Sequence, residues 1–283
     1  MPLALILSSH VAASRVGGMA QSLALSQFNC DGMLVPTVLY GRHPGWGAPG
    51  GAAVPLQAFE GMLDGIEANG LFGLTDLVIT GYFASVEQVR AAVRAIDAVR
   101  AAPRDAIAYT EAARIVVDPT IGDTGKGLYV PQDVADAIRD DLCPRADIIC
   151  PNAWELEWLT GQDACDPQNA VRAATRLGRP VMVSSINIGN EIGAVYADKH
   201  EAWLAAHPKA ASAPKGTGDL LTALFAAALL EGQTASDALA SAVGGVAETI
   251  TAANAWASPE LPIVAIGAHI KRTSPSVRME RLA

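Results

Sequence analysis

Pro214-Lys215-Gly216-Thr217-Gly218-Asp219 runs straight into Leu220-Leu221-Thr222-Ala223-Leu224-Phe225-Ala226, a small-residue turn that opens an apolar helix. The glycines free Gly216, Thr217 and Gly218 to turn their backbone N–H groups toward an oxyanion, and the positive end of the helix dipole adds to the attraction. Asp219 has two readings. It is either a first-turn carboxylate stabilised by that dipole or a base beside a transferring phosphoryl group. Gly-rich turns before helices are common, so the rest of the chain must decide.

Upstream of the turn, short apolar runs alternate with helical patterns. Leu3–Leu7, Met33–Val38, Leu77–Thr80, Ile115–Val117, Ile148–Ile149 and Val181–Val183 read as strands. Val86–Val99 and Pro131–Leu142, with apolar residues recurring at three and four, read as helices. This alternation predicts an α/β fold, a mostly parallel central sheet with helices on both faces. Ile192–Tyr196 and Ala202–Ala205 read as an antiparallel hairpin, and Gly218–Leu230 and Thr234–Asn254 as two Ala-rich helices. No linker or internal repeat divides the chain, so residues 1–283 are expected to form a single domain. Residues 41–51 hold too much Gly and Pro for helix or central strand and read as a long flexible loop. Loops of this kind serve as lids or as plain surface excursions, and the lid region is placed at about 41–55.

The 283 residues are 51% hydrophobic, enough for a sizeable core. Mean hydropathy is +0.25, yet the longest apolar run, Leu220–Leu230, falls well short of the roughly 20 residues that span a bilayer. Leu3–Leu7 lacks a basic flank and is too short for a secretory signal, so a cytoplasmic protein without membrane contact is expected. Cys30, Cys143, Cys150 and Cys165 have neither Cys-x-x-Cys spacing nor a His partner, and read as buried small hydrophobes in a reducing compartment. A net charge of −9 without clustered Lys and Arg argues against a nucleic-acid partner.

In an open α/β sheet, ligands sit beyond the carboxyl ends of the strands. Ser9, Thr37, Gly81-Tyr82, Asp118-Pro119 and Asn152 all follow or end a predicted strand. Five polar ends on one edge point to a site. Asp118, Asp123 and Glu155, with Asn152, supply the hard oxygen groups that suit Mg²⁺ and its waters. Asn152 and Glu155 also have the spacing of a capping box, and both roles can hold together. Gly122-Asp123-Thr124-Gly125-Lys126-Gly127 is no Walker loop, because Thr120 stands where its first glycine belongs and Gly127 where Ser or Thr is needed. Ser8-Ser9-His10 lacks a Gly-x-Ser-x-Gly elbow, which argues against a hydrolase.

The order Asp118-Pro119, Pro151-Asn152-x-x-Glu155, Gly216-Thr217-Gly218-Asp219 resembles the ribokinase-like superfamily, whose three-layer fold it implies. Ser9-His10-Val11, Thr37-Val38, His43, Gly81-Tyr82-Phe83-Ala84-Ser85 and Asp118-Pro119-x-x-Gly122-Asp123 are similar to the pyridoxal kinases, over nearly the whole chain. The resemblance implies ATP-dependent phosphorylation of the 5′-hydroxymethyl group of pyridoxal, with pyridoxine and pyridoxamine as related substrates. It casts Asp219 as the base and Gly216, Thr217 and Gly218 as stabilisers of the transferring group. Asp118, Asn152 and Ser184 would serve ATP, and Asp118, Asp123 and Glu155 a Mg²⁺ ion. Ser9, Thr37, His43 and Tyr82 would meet the vitamer, and a homodimer is implied. A monovalent cation is left open, as is whether Arg42 faces phosphate or solvent. Two rivals remain: a hydroxymethylpyrimidine kinase, disfavoured by Ser8-Ser9-His10-Val11 in the first loop, and a non-catalytic B6-vitamer binder, for which a base and metal ligands together have no use.

Overall fold

The computed structural model describes residues 1–271 and 274–283. In chain order the elements are β1 (Leu3–Val11), α1 (Gly17–Ser26), β2 (Asp31–Tyr40), β3 (Gly51–Ala53), α2 (Leu56–Ala68), β4 (Leu77–Thr80), α3 (Val86–Ala101), β5 (Arg114–Val117), β6 (Gly122–Asp123), β7 (Gly127–Leu128) and α4 (Gln132–Ala137). Then follow β8 (Ile148–Ile149), α5 (Ala153–Thr160), α6 (Pro167–Thr175), β9 (Val181–Ile188), β10 (Glu191–Ala197), β11 (Ala202–Pro208), α7 (Thr217–Leu230), α8 (Ala235–Ala255), α9 (Ile263–Ile266) and β12 (Arg278–Arg281).

The main sheet has the order β12-β11-β10-β9-β8-β5-β4-β1-β2-β3. Its centre, β9 through β2, is parallel, and antiparallel strands flank it on both sides. Successive side chains of β1 serve opposite faces, as a two-residue period requires. Ala4 and Ile6 pack with α1, α7 and α8, while Leu5 and Leu7 pack with α3 and α4. The sheet is therefore a layer between two helical layers. Helix α7 is buried almost all round from Leu220 to Ala228, which explains its lack of a polar face.

The predicted strands and helices stand, with four adjustments. Strand β9 runs to Ile188, beyond Val183, because β10 pairs with it as a hairpin. The helix expected over Pro131–Leu142 is α4 followed by a wider turn over Ile138–Leu142. The expected flexible loop at 41–51 is a bonded β2–β3 arm: Val38, Leu39 and Tyr40 pair with Ala53, Ala52 and Gly51, and Gly41 and Arg42 donate their N–H groups to Pro49 O. Cys165 is exposed because it lies in the loop before α6, whereas the buried Cys30 and Cys150 adjoin β2 and β8 and Cys143 opens a packed turn.

Candidate active site

The turn before α7 has the geometry its glycines suggested. Gly216 adopts φ +91°, and a Cβ there would lie 2.1 Å from Arg15 O, so only glycine fits. Helix α7 then begins at Thr217 with no side-chain cap, leaving its first N–H groups to a ligand. Asp219 is partly exposed in the first turn, and the backbone N–H of Gly17 at the start of α1 favours its charged form. Burial of its carboxyl and the nearby charge of Asp118 push it up to about 7.

Asp118 is buried at the end of β5. Its Oδ1 accepts from Thr120 N (3.1 Å) and Thr120 Oγ1 (2.7 Å), and its Oδ2 from Thr222 Oγ1 (2.9 Å) on α7. Burial is the main force raising its carboxyl above the usual range, against the pull of these bonds. Thr120 has φ +46°, a strained conformation held by its two bonds to Asp118.

Asn152 and Glu155 form the capping box at the start of α5. Glu155 does more than cap. Its Oε1 accepts from Ile121 N (2.7 Å) and Gly122 N (3.2 Å), and its Oε2 from Asn152 N (2.9 Å). Asn152 Nδ2 donates to Gly122 O (2.9 Å). The pair thereby clamps the β6–β7 hairpin to α5. Burial first, then Asp118, raises the Glu155 carboxyl. Asp123 stands apart at the hairpin's edge, part-exposed and 3.5 Å from Lys126. Among the described residues, no three His, Cys, Asp or Glu side chains are close enough to cage a metal ion. This donor set suits a cation held largely by phosphate and water, with one or two carboxylates.

Ser9 lies where the β1–β2 register shifts between Ser8 and His10, an irregularity that re-aims a side chain next to a site. Its Oγ packs so tightly against Gly17, at φ +53°, that a Cβ on Gly17 would lie 2.0 Å from it. Tyr82 is half-buried, its phenol raised by burial and by Tyr40. Thr37, expected to meet a substrate ring, is tied to Tyr82. It is 0% exposed and donates to Tyr82 O at 2.6 Å, so it fixes Tyr82 from behind.

His43 is part-buried in the β2–β3 arm. Its Nδ1 accepts from Gly45 N at 2.9 Å, and its ring lies 6.1 Å from that of Trp46. Burial, then the charges of Lys215 and Lys126, lower its pKa. Arg42 folds onto its own loop, with Nε donating to Ala48 O.

Ser184 forms a parallel bridge with Asn152 and borders, with Thr217 and Gly218, an open cleft of about 450 Å³. Ile192, Leu221, Val243, Val246 and Ile250 give that cleft an apolar wall. Sequence reasoning missed this wall, because its members look like ordinary core residues until the β9–β10 hairpin and α8 are brought beside the turn. Tyr129 was missed as well. The residue is 45% exposed, while desolvation of its phenol, then the charges of Glu155, Asp118, Asp219 and Asp123, raise its pKa. Its only signal was its place just past the glycine-rich hairpin.

A family model described as phosphomethylpyrimidine kinase matches residues 79–263. The pyridoxal kinase PdxY of Corynebacterium diphtheriae is 30% identical over 268 residues, covering 92% of this chain and 92% of the relative. A pyridoxine/pyridoxal/pyridoxamine kinase of Bordetella avium is 34% identical over 232 residues, 79% of this chain and 76% of the relative. In shape, the pyridoxal kinase from Leishmania donovani solved in complex with ADP superposes with a TM-score of 0.90 at 23% identity, covering 99% of both chains. The chain belongs to the pyridoxal kinase branch of the phosphomethylpyrimidine kinase family.

Proposed function

We propose that this protein transfers the γ-phosphoryl group of ATP to the 5′-hydroxymethyl oxygen of pyridoxal, giving pyridoxal 5′-phosphate and ADP, with pyridoxine and pyridoxamine as related acceptors. The observation that carries this reading is the position of Asp219. It sits between a left-handed glycine turn that opens N–H groups to an anion and the strand ends that hold Ser9 and Tyr82. The apolar cleft bordered by Ser184, Thr217 and Gly218 has the size and character for a nucleoside, whose phosphates would then point at the turn.

In the reaction the acceptor oxygen forms a bond to Pγ as the bond from Pγ to the β,γ-bridging oxygen breaks. The hydroxyl proton passes to the Asp219 carboxylate, and ADP leaves. The N–H groups of Gly216, Thr217 and Gly218 meet the charge that develops on the transferring oxygens. Asp118 would hold a Mg²⁺ ion, with Asp123 and Glu155 ordering its waters, and the ion would neutralise phosphate charge. Ser9 and His43 would bind polar substituents of the pyridine, and Tyr82 its face. We further take the chain to act as a single kinase domain, in the cytoplasm and as a homodimer. No helix among the described residues is long and apolar enough to cross a membrane.

The test is ATP consumption by the purified protein with pyridoxal, pyridoxine, pyridoxamine and hydroxymethylpyrimidine in separate reactions. The expected order places pyridoxal first. Turnover of hydroxymethylpyrimidine alone would replace this reading with its nearest rival, and binding of B6 vitamers without turnover would make the protein a binder.

A further inference from the structure

We propose that Thr222 is a positioning residue for phosphoryl transfer: its hydroxyl ties the Asp118 carboxylate to the helix that carries Asp219 and so keeps the two acidic groups in one fixed placement. The inference rests on the roles given to Asp118 and Asp219 above and assigns one to a residue outside both.

A hydroxyl inside a helix ordinarily turns back onto its own backbone. Ser22, Thr160, Thr249 and Thr251 do so here, each donating to the carbonyl four residues earlier. Thr222 does not. Its Oγ1 donates to Asp118 Oδ2 at 2.9 Å, joining α7 to the end of β5 across 104 positions of sequence. A hydroxyl has one proton, so this bond takes the only side-chain donor Thr222 possesses. Thr222 is 2% exposed and Asp118 7%, and at that depth water competes little for the bond.

Asp118 is gripped from two sides. Oδ1 is held by its own loop, through Thr120 N and Thr120 Oγ1, and Oδ2 is held by α7, through Thr222. The second grip connects the carboxylate to the base. Thr222 follows Asp219 by three residues, close to one helical turn, so the two side chains share a face of α7. Two carboxylates on neighbouring elements repel, and a helix held at this point resists the shift that would part them. Without the hydroxyl, Asp118 keeps only its bonds to Thr120, and its Oδ2 is free to swing. A misplacement of that kind falls on turnover more than on acceptor binding, because reacting groups must meet within a narrow range of distance. It also loosens the hold on a phosphate-bound Mg²⁺ ion, the role proposed for Asp118 above.

The experiment compares wild type with Thr222→Val, which keeps the shape and lacks the hydroxyl, Thr222→Ala, which lacks hydroxyl and methyl alike, and Thr222→Ser, which keeps the hydroxyl. Melting curves first establish that each variant is folded, and Thr222→Ala serves if Thr222→Val is not. In ATP turnover with pyridoxal, loss of the hydroxyl should lower kcat roughly 10- to 100-fold and change KM for pyridoxal by no more than about twofold. Thr222→Ser should recover most of kcat. Calorimetry with β,γ-imido-ATP gives a readout apart from activity: the variants lacking the hydroxyl should bind it several-fold more weakly than wild type with Mg²⁺ present and equally well without it. Unchanged kcat in those variants, a loss confined to KM, a loss that Thr222→Ser shares in full, or wild-type affinity for β,γ-imido-ATP in the presence of Mg²⁺ overturns the proposal. If wild type phosphorylates no vitamer, the acceptor reading fails, and the Mg²⁺-dependent difference in affinity upholds the tether by its presence or overturns it by its absence.

Discussion

The backbone N–H of Gly17, the first residue of α1, favours the charged form of Asp219 in the first turn of α7. The carboxylate thus stands at two helix N-termini at once, where both dipoles favour its charged form. Burial and the negative charge of Asp118 outweigh them and bring it to about 7. A base with that value can accept a proton at neutral pH and give it up again.

Asp219→Asn should therefore leave ATP and pyridoxal binding largely intact and lower kcat by roughly 10²–10⁴. Near-normal turnover by this variant would remove Asp219 from the mechanism.

The same group sets a pH dependence. Below about 7 Asp219 carries a proton and cannot take another, so kcat/KM should fall on the acid side and recover above neutrality. Stability moves the opposite way. A carboxyl raised from its unfolded value near 3.8 to about 7 keeps a proton that the unfolded chain releases, so its contribution declines as pH rises through that window. In metal-free protein, Asp219→Asn should gain about 1–2 kcal/mol relative to wild type at pH 8 and little at pH 4. Denaturant melts at the two pH values decide this, and an equal difference at both would contradict it.

The fold was legible because its signals are local. The apolar runs of β1, β4, β5 and β8 and the turn-to-helix join at Gly216 need no knowledge of distant contacts. The polar strand ends Ser9, Asp118 and Asn152 followed from the sheet rule once the strands were placed. What stayed hidden depends on pairings between remote segments. Thr37 was legible as a polar strand end, but its 2.6 Å bond to Tyr82 O, which braces Tyr82, was not. The apolar wall of Val243, Val246 and Ile250 reads as core on a helical period, because periodicity reports which face is apolar and not whether a ligand or a strand covers it. Strand β12 went unseen for a similar reason: Arg278–Arg281 carries two arginines and a glutamate, and its strand form comes from pairing with β11.

Glu155→Gln tests two roles together. The native carboxylate receives three backbone N–H groups, whereas an amide turns its NH₂ toward at least one of them. One buried N–H then lacks an acceptor, at a cost of about 1–3 kcal/mol. A lower melting temperature without metal is the expected result, together with a higher Mg²⁺ concentration for half-maximal turnover. Destabilisation with an unchanged Mg²⁺ titration would leave Glu155 as a clamp on the β6–β7 hairpin and nothing more.

Gly17→Ala probes the floor of the site without removing a polar group. The new Cβ would lie 2.0 Å from Ser9 Oγ, at a φ of +53°. Both the strain and the clash act, so a stability loss of about 1–3 kcal/mol is expected, with a rise in KM for pyridoxal as Ser9 is displaced. Wild-type melting behaviour and KM would show that the β1–α1 loop yields without effect.

The β2–β3 arm offers the last test. His43 spends Nδ1 on the Gly45 N–H, which leaves Nε2 as the proton-bearing nitrogen of a neutral ring. Burial, Lys215 and Lys126 keep the ring neutral near pH 7, so it can donate to an oxygen substituent of the acceptor without adding charge. Trp46, 42% exposed, lies beside it and gives the arm an apolar surface that would exclude water on closing. The arm's glycines at positive φ, Gly47, Gly50 and Gly51, let it rearrange while the β2–β3 pairing keeps its base in place. His43→Ala should then raise KM for pyridoxal several-fold more than KM for ATP, since the ring contact is lost and the phosphate site at Gly216–Asp219 remains. Pyridoxal should also protect the arm from limited proteolysis in wild type. Equal effects on both KM values, or none, combined with cleavage that ignores pyridoxal, would mean that the arm is a surface excursion and that His43 only braces its turn.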